Sequence, residues 1–362
     1  MRKLLMLIII CTVNYYSVQA QGCVAIRNNG GVCTMSGPHQ EQDGNNKGWT
    51  FALNSRYFKS FRHFVGTDEQ KQRVEQGTEV VNHVFSTELA LTKMVNDRWS
   101  FGIFLPVISN DRSSLYEHDG KTRHSTHSFG TGDLRVAGYY WLIDPAKRTR
   151  LNVQLGLGIK FPTGDYRYQD YFYKNDSVKV LGPVDQSIQL GDGGTGITGE
   201  LNAFYHVSRN ISVYANAYYL ANPREQNGVS TARGGITSPS SVTYGSDVMS
   251  VPDQYMLRAG GSLVLDKFVV SAGMRMECLP VYDLLGGSGG FRRPGYVISA
   301  EPVVAYKINR TQLYFSVPVA VERNRTQSVP DKIKTQKTGV YSHGDAAFAD
   351  YSINLGVAFS FN

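Results

Sequence analysis

Along most of this chain, large apolar side chains recur at every second position with small or polar ones between them, and the last stretch shows the pattern most cleanly. From Tyr351 the odd positions are Tyr351, Ile353, Leu355, Val357, Phe359 and Phe361, and the even ones are Ser352, Asn354, Gly356, Ala358 and Ser360. A period of two sends alternate side chains to opposite faces of a strand, so this segment is predicted to be a β-strand with one apolar face.

The same alternation recurs over 49–57, 84–94, 99–107, 133–142, 151–161, 197–207, 211–220, 254–265, 268–279, 296–307 and 312–322, which with the last segment makes about twelve strands. Short turns at 95–98, 144–147, 208–210, 266–267 and 308–310 alternate with long polar connections such as 108–131, 163–195, 221–252 and 323–346. A soluble sandwich uses shorter strands and has no reason to gather its long connections at one end. A transmembrane barrel needs strands of about ten residues, has short periplasmic turns and long external loops, and with an even strand count returns both termini to the periplasm. The expected fold is therefore all-β: a transmembrane antiparallel up-and-down β-barrel over 48–362, with six long external loops and both termini periplasmic.

The charges follow the alternation. Opposite the apolar faces stand Arg56, Glu88, Arg135, Glu200, Arg258, Arg275, Glu277, Glu301, Lys307 and Glu322. A charge facing lipid at mid-depth costs about 2–4 kcal/mol, so these side chains are predicted to face a lumen and the apolar ones lipid. The first eight are the candidates for a constriction that selects solutes by its field. Equally, they could pair across strands and fill a lumen only modestly wider than that of an eight-stranded barrel. Trp49, Trp99, Trp141, Tyr219, Tyr255, Phe268, Tyr296, Tyr306, Tyr351 and Phe361 lie near strand ends, where interfacial girdles form.

Composition agrees with strands and turns: 37 Gly, 22 Tyr and 17 Phe in 362 residues. Mean hydropathy is −0.27 and, beyond the N-terminus, no run approaches the ~20 apolar residues of a membrane helix. The formal charge of +7 is scattered without a block of five like charges, which argues against a nucleic-acid partner. Met1-Arg2-Lys3, the apolar run 4–13 and Val18-Gln19-Ala20 have the form of a secretory signal peptide over 1–20. Residues 21–47 are then a periplasmic extension or small plug, with Cys23 and Cys33 as disulfide candidates in an exported chain, and Cys278 is a buried or lipid-facing thiol.

His118, His124 and His127 share one long loop, and Asp165, Asp170, Asp176, Asp185 and Asp192 another, but neither set has metal-ligand spacing, so no metal and no cofactor are expected. His206 and Ser212 flank one turn on the inward phase and no Gly-x-Ser-x-Gly occurs, so the chain is not expected to be an enzyme.

Residues 354–361 resemble the C-terminal signal of outer-membrane barrels, matched at Asn354, Gly356, Phe359 and Phe361 and departing at Asn362, where many such proteins end on the aromatic. The resemblance implies recognition as an edge strand by the barrel-assembly machinery. Gly132-Asp133-Leu134, the stretch from Gly158 to Asp165, and Gln189-Leu190-Gly191-Asp192-Gly193-Gly194 resemble an outer-membrane family named for the MetA pathway of phenol degradation, over roughly 130–205. That resemblance implies a channel for passive uptake of small hydrophobic or aromatic molecules across the outer membrane of a Gram-negative bacterium, with membrane lipid and solute as partners. The alternative is a non-conducting structural or adhesive barrel that binds a partner through its long loops.

Overall fold

The computed structural model describes residues 48–147 and 149–361. The expected signal peptide over 1–20, the expected extension over 21–47 and the disulfide candidates Cys23 and Cys33 lie outside the described residues.

Twelve strands form the wall. They are β1 (Gly48–Val65), β2 (Val81–Met94), β3 (Trp99–Ser114), β4 (His124–Thr131 and Arg135–Trp141), β5 (Leu151–Lys160) and β6 (Gly196–His206). They continue as β7 (Ile211–Ala221), β8 (Gln254–Leu265), β9 (Phe268–Leu279), β10 (Gly295–Ile308), β11 (Thr311–Ser316 and Val319–Arg325) and β12 (Ala346–Phe361). Each pairs antiparallel with its neighbours in the chain, and β1 pairs with β12 from Trp49↔Phe361 to Phe64↔Ala346. The sheet thus closes, which leaves no row of unpaired backbone groups in an apolar medium. Two of the short turns need a left-handed residue, supplied by Asp266 (φ 53°) and Asn309 (φ 50°), types that tolerate it.

Alternation sorts the faces as predicted: Ser352 and Asn354 are buried inward, whereas Leu355 is 57% exposed outward. An apolar belt turned outward around a polar interior is the arrangement of a wall that faces lipid. Leu355→Arg is expected to destabilise the barrel in lipid vesicles by about 2–4 kcal/mol, read from urea unfolding. Stability equal to the wild type would show that this belt does not meet hydrocarbon.

Three features depart from the sequence reading. First, much of segment 108–131 is wall: residues 107–114 pair with 124–131, and β1 and β12 rise beside them. Both faces of this extension are largely polar, so the hydropathy alternation that marks the membrane strands is missing there. Second, β11 breaks at Val317-Pro318, where proline offers no ladder N–H, and its register slips so that Ile298 faces Glu322 while Ser299 faces Ala320. Glu322 consequently points outward, exposed, and accepts a hydrogen bond from the Tyr296 hydroxyl. Third, Trp141 takes the inward phase, 6.2 Å from Phe204, and Tyr140 occupies the girdle position instead, 4.7 Å from Trp99.

Candidate functional site

Inward-facing positions at mid-depth carry the charges, because a residue two positions along a strand keeps its face. On β1, Arg56 reaches across the lumen to β9 and donates two hydrogen bonds to Glu277, at 2.7 and 2.8 Å. Arg275 donates to Glu277 at 2.9 Å and to Glu301 at 3.4 Å, and Arg258 donates to Glu301 at 2.9 Å. All five side chains are buried. They form one chain of alternating sign, Arg56–Glu277–Arg275–Glu301–Arg258, in which both carboxylates are shared by two guanidiniums.

A second cluster stands on β2, β4 and β6. Arg135 donates to Glu200, the Tyr139 hydroxyl donates to the same carboxylate at 3.1 Å, and the Arg135 guanidinium lies 3.9 Å from the centre of the Phe104 ring. Glu88 accepts from Asn54 at 3.4 Å, and Asn54 also accepts from the Tyr314 hydroxyl at 3.2 Å. All eight sequence candidates therefore point inward, seven of them buried and Glu200 half-buried, in two groups, and their four arginines balance their four glutamates.

Sequence reasoning missed a third arrangement, at the long-loop end. Residues 184–190 of the β5–β6 connection fold back against the inner face of the β3–β4 hairpin. Asn110 and Ser128 both donate to the Ile188 carbonyl, and Val184 and Ile188 are fully buried. On the opposite side, Gln186 donates to the Ser250 carbonyl at 2.8 Å, so this segment crosses the mouth. Asp185 anchors it. Its carboxylate accepts both Arg293 nitrogens at 2.7 and 2.6 Å and Arg233 at 3.1 Å, with Arg112 at 3.5 Å. Burial pushes this carboxyl upward in pKa, but Arg112, Arg293 and Arg233 outweigh it and hold the group well below the usual carboxylate range.

The motifs that carried the family resemblance meet beside this segment, at Lys160. Its ammonium donates to Asp133 at 3.1 Å, to Asp192 and to the Gly194 carbonyl at 2.7 Å. Asp133 also accepts the Gly164 amide at 3.0 Å. Gly191 has to be glycine, since a Cβ there would stand 2.5 Å from the Gly164 carbonyl oxygen. The repeated Gly-Asp pairs were the available signal, but nothing in their spacing shows that they converge on one lysine.

The loop histidines do not form a site together. His118 and His124 rings lie 5.4 Å apart, while His127 is turned to Asp111 at 2.8 Å and Asp170 at 3.5 Å. The loop aspartates are likewise dispersed, Asp185 to arginines and Asp192 to Lys160. Among the described residues no group of three or more His, Cys, Asp or Glu could hold a metal ion. His206 and Ser212 face each other in register, inward and buried.

No protein-family model matches the sequence, and no curated protein matches it. Among solved structures, the fold is similar to that of the COG4313 outer membrane channel from Pseudomonas putida F1, with 10% identity, a TM-score of 0.56 and coverage of 89% of this chain and 100% of that one. Lesser similarity extends to the translocator domain of the autotransporter NalP from Neisseria meningitidis (13% identity, 88% of this chain and 90% of that one, TM-score 0.43). The TodX deltaS2S3 mutant monoaromatic hydrocarbon channel is similar to the same degree (11% identity, 96% of each chain, TM-score 0.43). At such identities the likeness is one of fold: a closed twelve-stranded antiparallel barrel of the outer-membrane type.

Proposed function

We propose that the protein is an outer-membrane channel for passive passage of small neutral solutes, hydrophobic or aromatic, with its long loops external and its short turns periplasmic. The observation that carries this reading is the character of the lumen. Its four arginines and four glutamates cancel, so they provide no net field to favour ions of one sign. Between them the inward wall carries Phe104, Tyr139, Tyr214, Tyr218 and Tyr314, buried here, whose rings would meet flat apolar molecules once the charged side chains part. The segment 184–190 at the mouth and the arginine–glutamate chain at mid-depth are the two barriers a solute has to displace, and both are built of side chains and a loop instead of wall backbone. The resemblance of 130–205 to the phenol-degradation family supports the solute class, and the similar fold of a known outer membrane channel supports passage. Residues 354–361, with Asn354 and Gly356 inward and Phe359 outward, are proposed as the edge strand offered to the assembly machinery before β1 closes on it.

The test is uptake into lipopolysaccharide-containing vesicles, comparing phenol with a neutral sugar and with chloride. The expected result is faster entry of phenol than into protein-free vesicles, with a much smaller gain for chloride. Equal phenol entry with and without protein would sink the proposal.

A second reading, an adhesive barrel, has one feature in its favour. Ile236 is 99% exposed, and Leu284, Val340 and Tyr341 are about 70% exposed at loop tips. Binding of a partner by a barrel that passes no solute would favour it.

A further inference from the structure

Among the described residues, buried ion pairs gather cations at one end of the barrel and none at the other. At the long-loop end six arginines are internally neutralised, although Arg167 and Arg224 and the lysines of the loop helix are not: Arg73 pairs with Asp345, Arg112 with Glu117, Arg233 and Arg293 with Asp185, Arg292 with Asp283, and Arg325 with Asp331. At the short-turn end every one of the five turns carries a cation: Arg98, Lys147 and Arg150, Arg209, Lys267, and Arg310. Only Asp97, Asp144 and Asp266 stand beside these six. None of the six is held in an ion pair among the described residues, and all but Arg98 are exposed.

The six stand at the edge of an aromatic belt. Arg98 donates to the Tyr140 hydroxyl at 3.1 Å, and Tyr140 packs on Trp99 at 4.7 Å. Phe268, next to Lys267, lies 4.4 Å from Tyr306 across the adjoining turn. One step inside, the Lys93 ammonium sits 4.9 Å from the Trp49 ring. Aromatic rings with unpaired cations just beyond them match a bilayer interface, where rings lie at headgroup depth and ammonium or guanidinium groups reach the phosphates.

We infer that the short-turn rim is a collar for anionic phospholipid headgroups, binding the phosphodiesters of the leaflet that those turns face. The geometry favours lipid over an acidic protein, because the cations ring the barrel at its lipid contact instead of clustering on one side. Where a cation reaches a phosphate, its charge is neutralised by lipid as those six long-loop arginines are by carboxylates. The collar rests on the barrel spanning a membrane, and insertion into vesicles, seen as heat-modifiable migration, checks that premise separately.

The experiment reconstitutes the full chain in mixed phosphatidylglycerol and phosphatidylethanolamine vesicles and measures the motionally restricted fraction of each spin-labelled lipid. The expected result is a preference for phosphatidylglycerol of about threefold at low salt, falling toward parity at 1 M salt. The variant R98Q/R209Q/K267Q/R310Q should insert normally and lose that preference. The variant K332Q/K334Q/K337Q, on the long-loop helix Val329–Thr338, should keep it. Equal restriction of the two lipids in the wild type, an unchanged preference in the rim variant, or loss in the loop variant would each overturn the collar. So would capture of acidic peptides by the rim without any lipid preference.

Discussion

Replacing Glu277 with alanine is expected to destabilise the barrel by about 3–5 kcal/mol and to raise its ion conductance, because it strips the carboxylate from two buried guanidiniums at once. Arg56 donates two charge-assisted bonds to Glu277, and Arg275 would keep only the longer contact to Glu301, at 3.4 Å. An unneutralised guanidinium in this lumen draws in water, and a hydrated path lets ions carry current. The double variant Arg56→Ala with Glu277→Ala removes the stranded charge as well, so it should recover part of the stability while keeping the conductance. Urea unfolding in vesicles and single-channel recording read the two effects independently. Wild-type stability and conductance in Glu277→Ala would mean that the chain across the lumen is neither a support nor a barrier.

The second large effect belongs to Asp185. Asparagine there keeps the shape but removes the charge facing Arg112, Arg233 and Arg293, and a cost of about 3–5 kcal/mol is expected for breaking so buried a cluster. Because residues 184–190 are tied to the wall by few other bonds, the loss should show as local opening: faster amide exchange there, with the strands unchanged. The pH dependence has a definite sign. A carboxyl held below its ordinary value contributes stability that is fully present above the unfolded pKa of about 3.9 and is lost as pH falls through the lower folded value. The difference between wild type and Asp185→Asn should therefore be constant near neutrality and shrink only in strong acid. A gap that narrows between pH 7 and pH 5 would contradict this role for Asp185.

The sequence alone determined the wall. Alternation over twelve segments specified which side chains meet lipid and which meet the lumen, because strand periodicity is local and needs no knowledge of distant residues. The same logic placed all eight lumen charges inward, from Arg56 to Glu301. It failed where local rules are overridden: at the register slip that turns Glu322 outward, and in the polar strand extensions above the membrane belt, where neither face is apolar.

Only the tertiary structure decided the pairings. Arg56 and Glu277 are 221 positions apart and become partners because closing the barrel fixes which strands face each other across it. Asp185 collects arginines from one wall strand and two different connections, and Lys160 collects the Gly-Asp pairs, through the path of a long loop that no periodicity describes. Alternation assigns a side chain to a face, whereas an ion pair requires a distance, and distances across a lumen exist only once the sheet has closed.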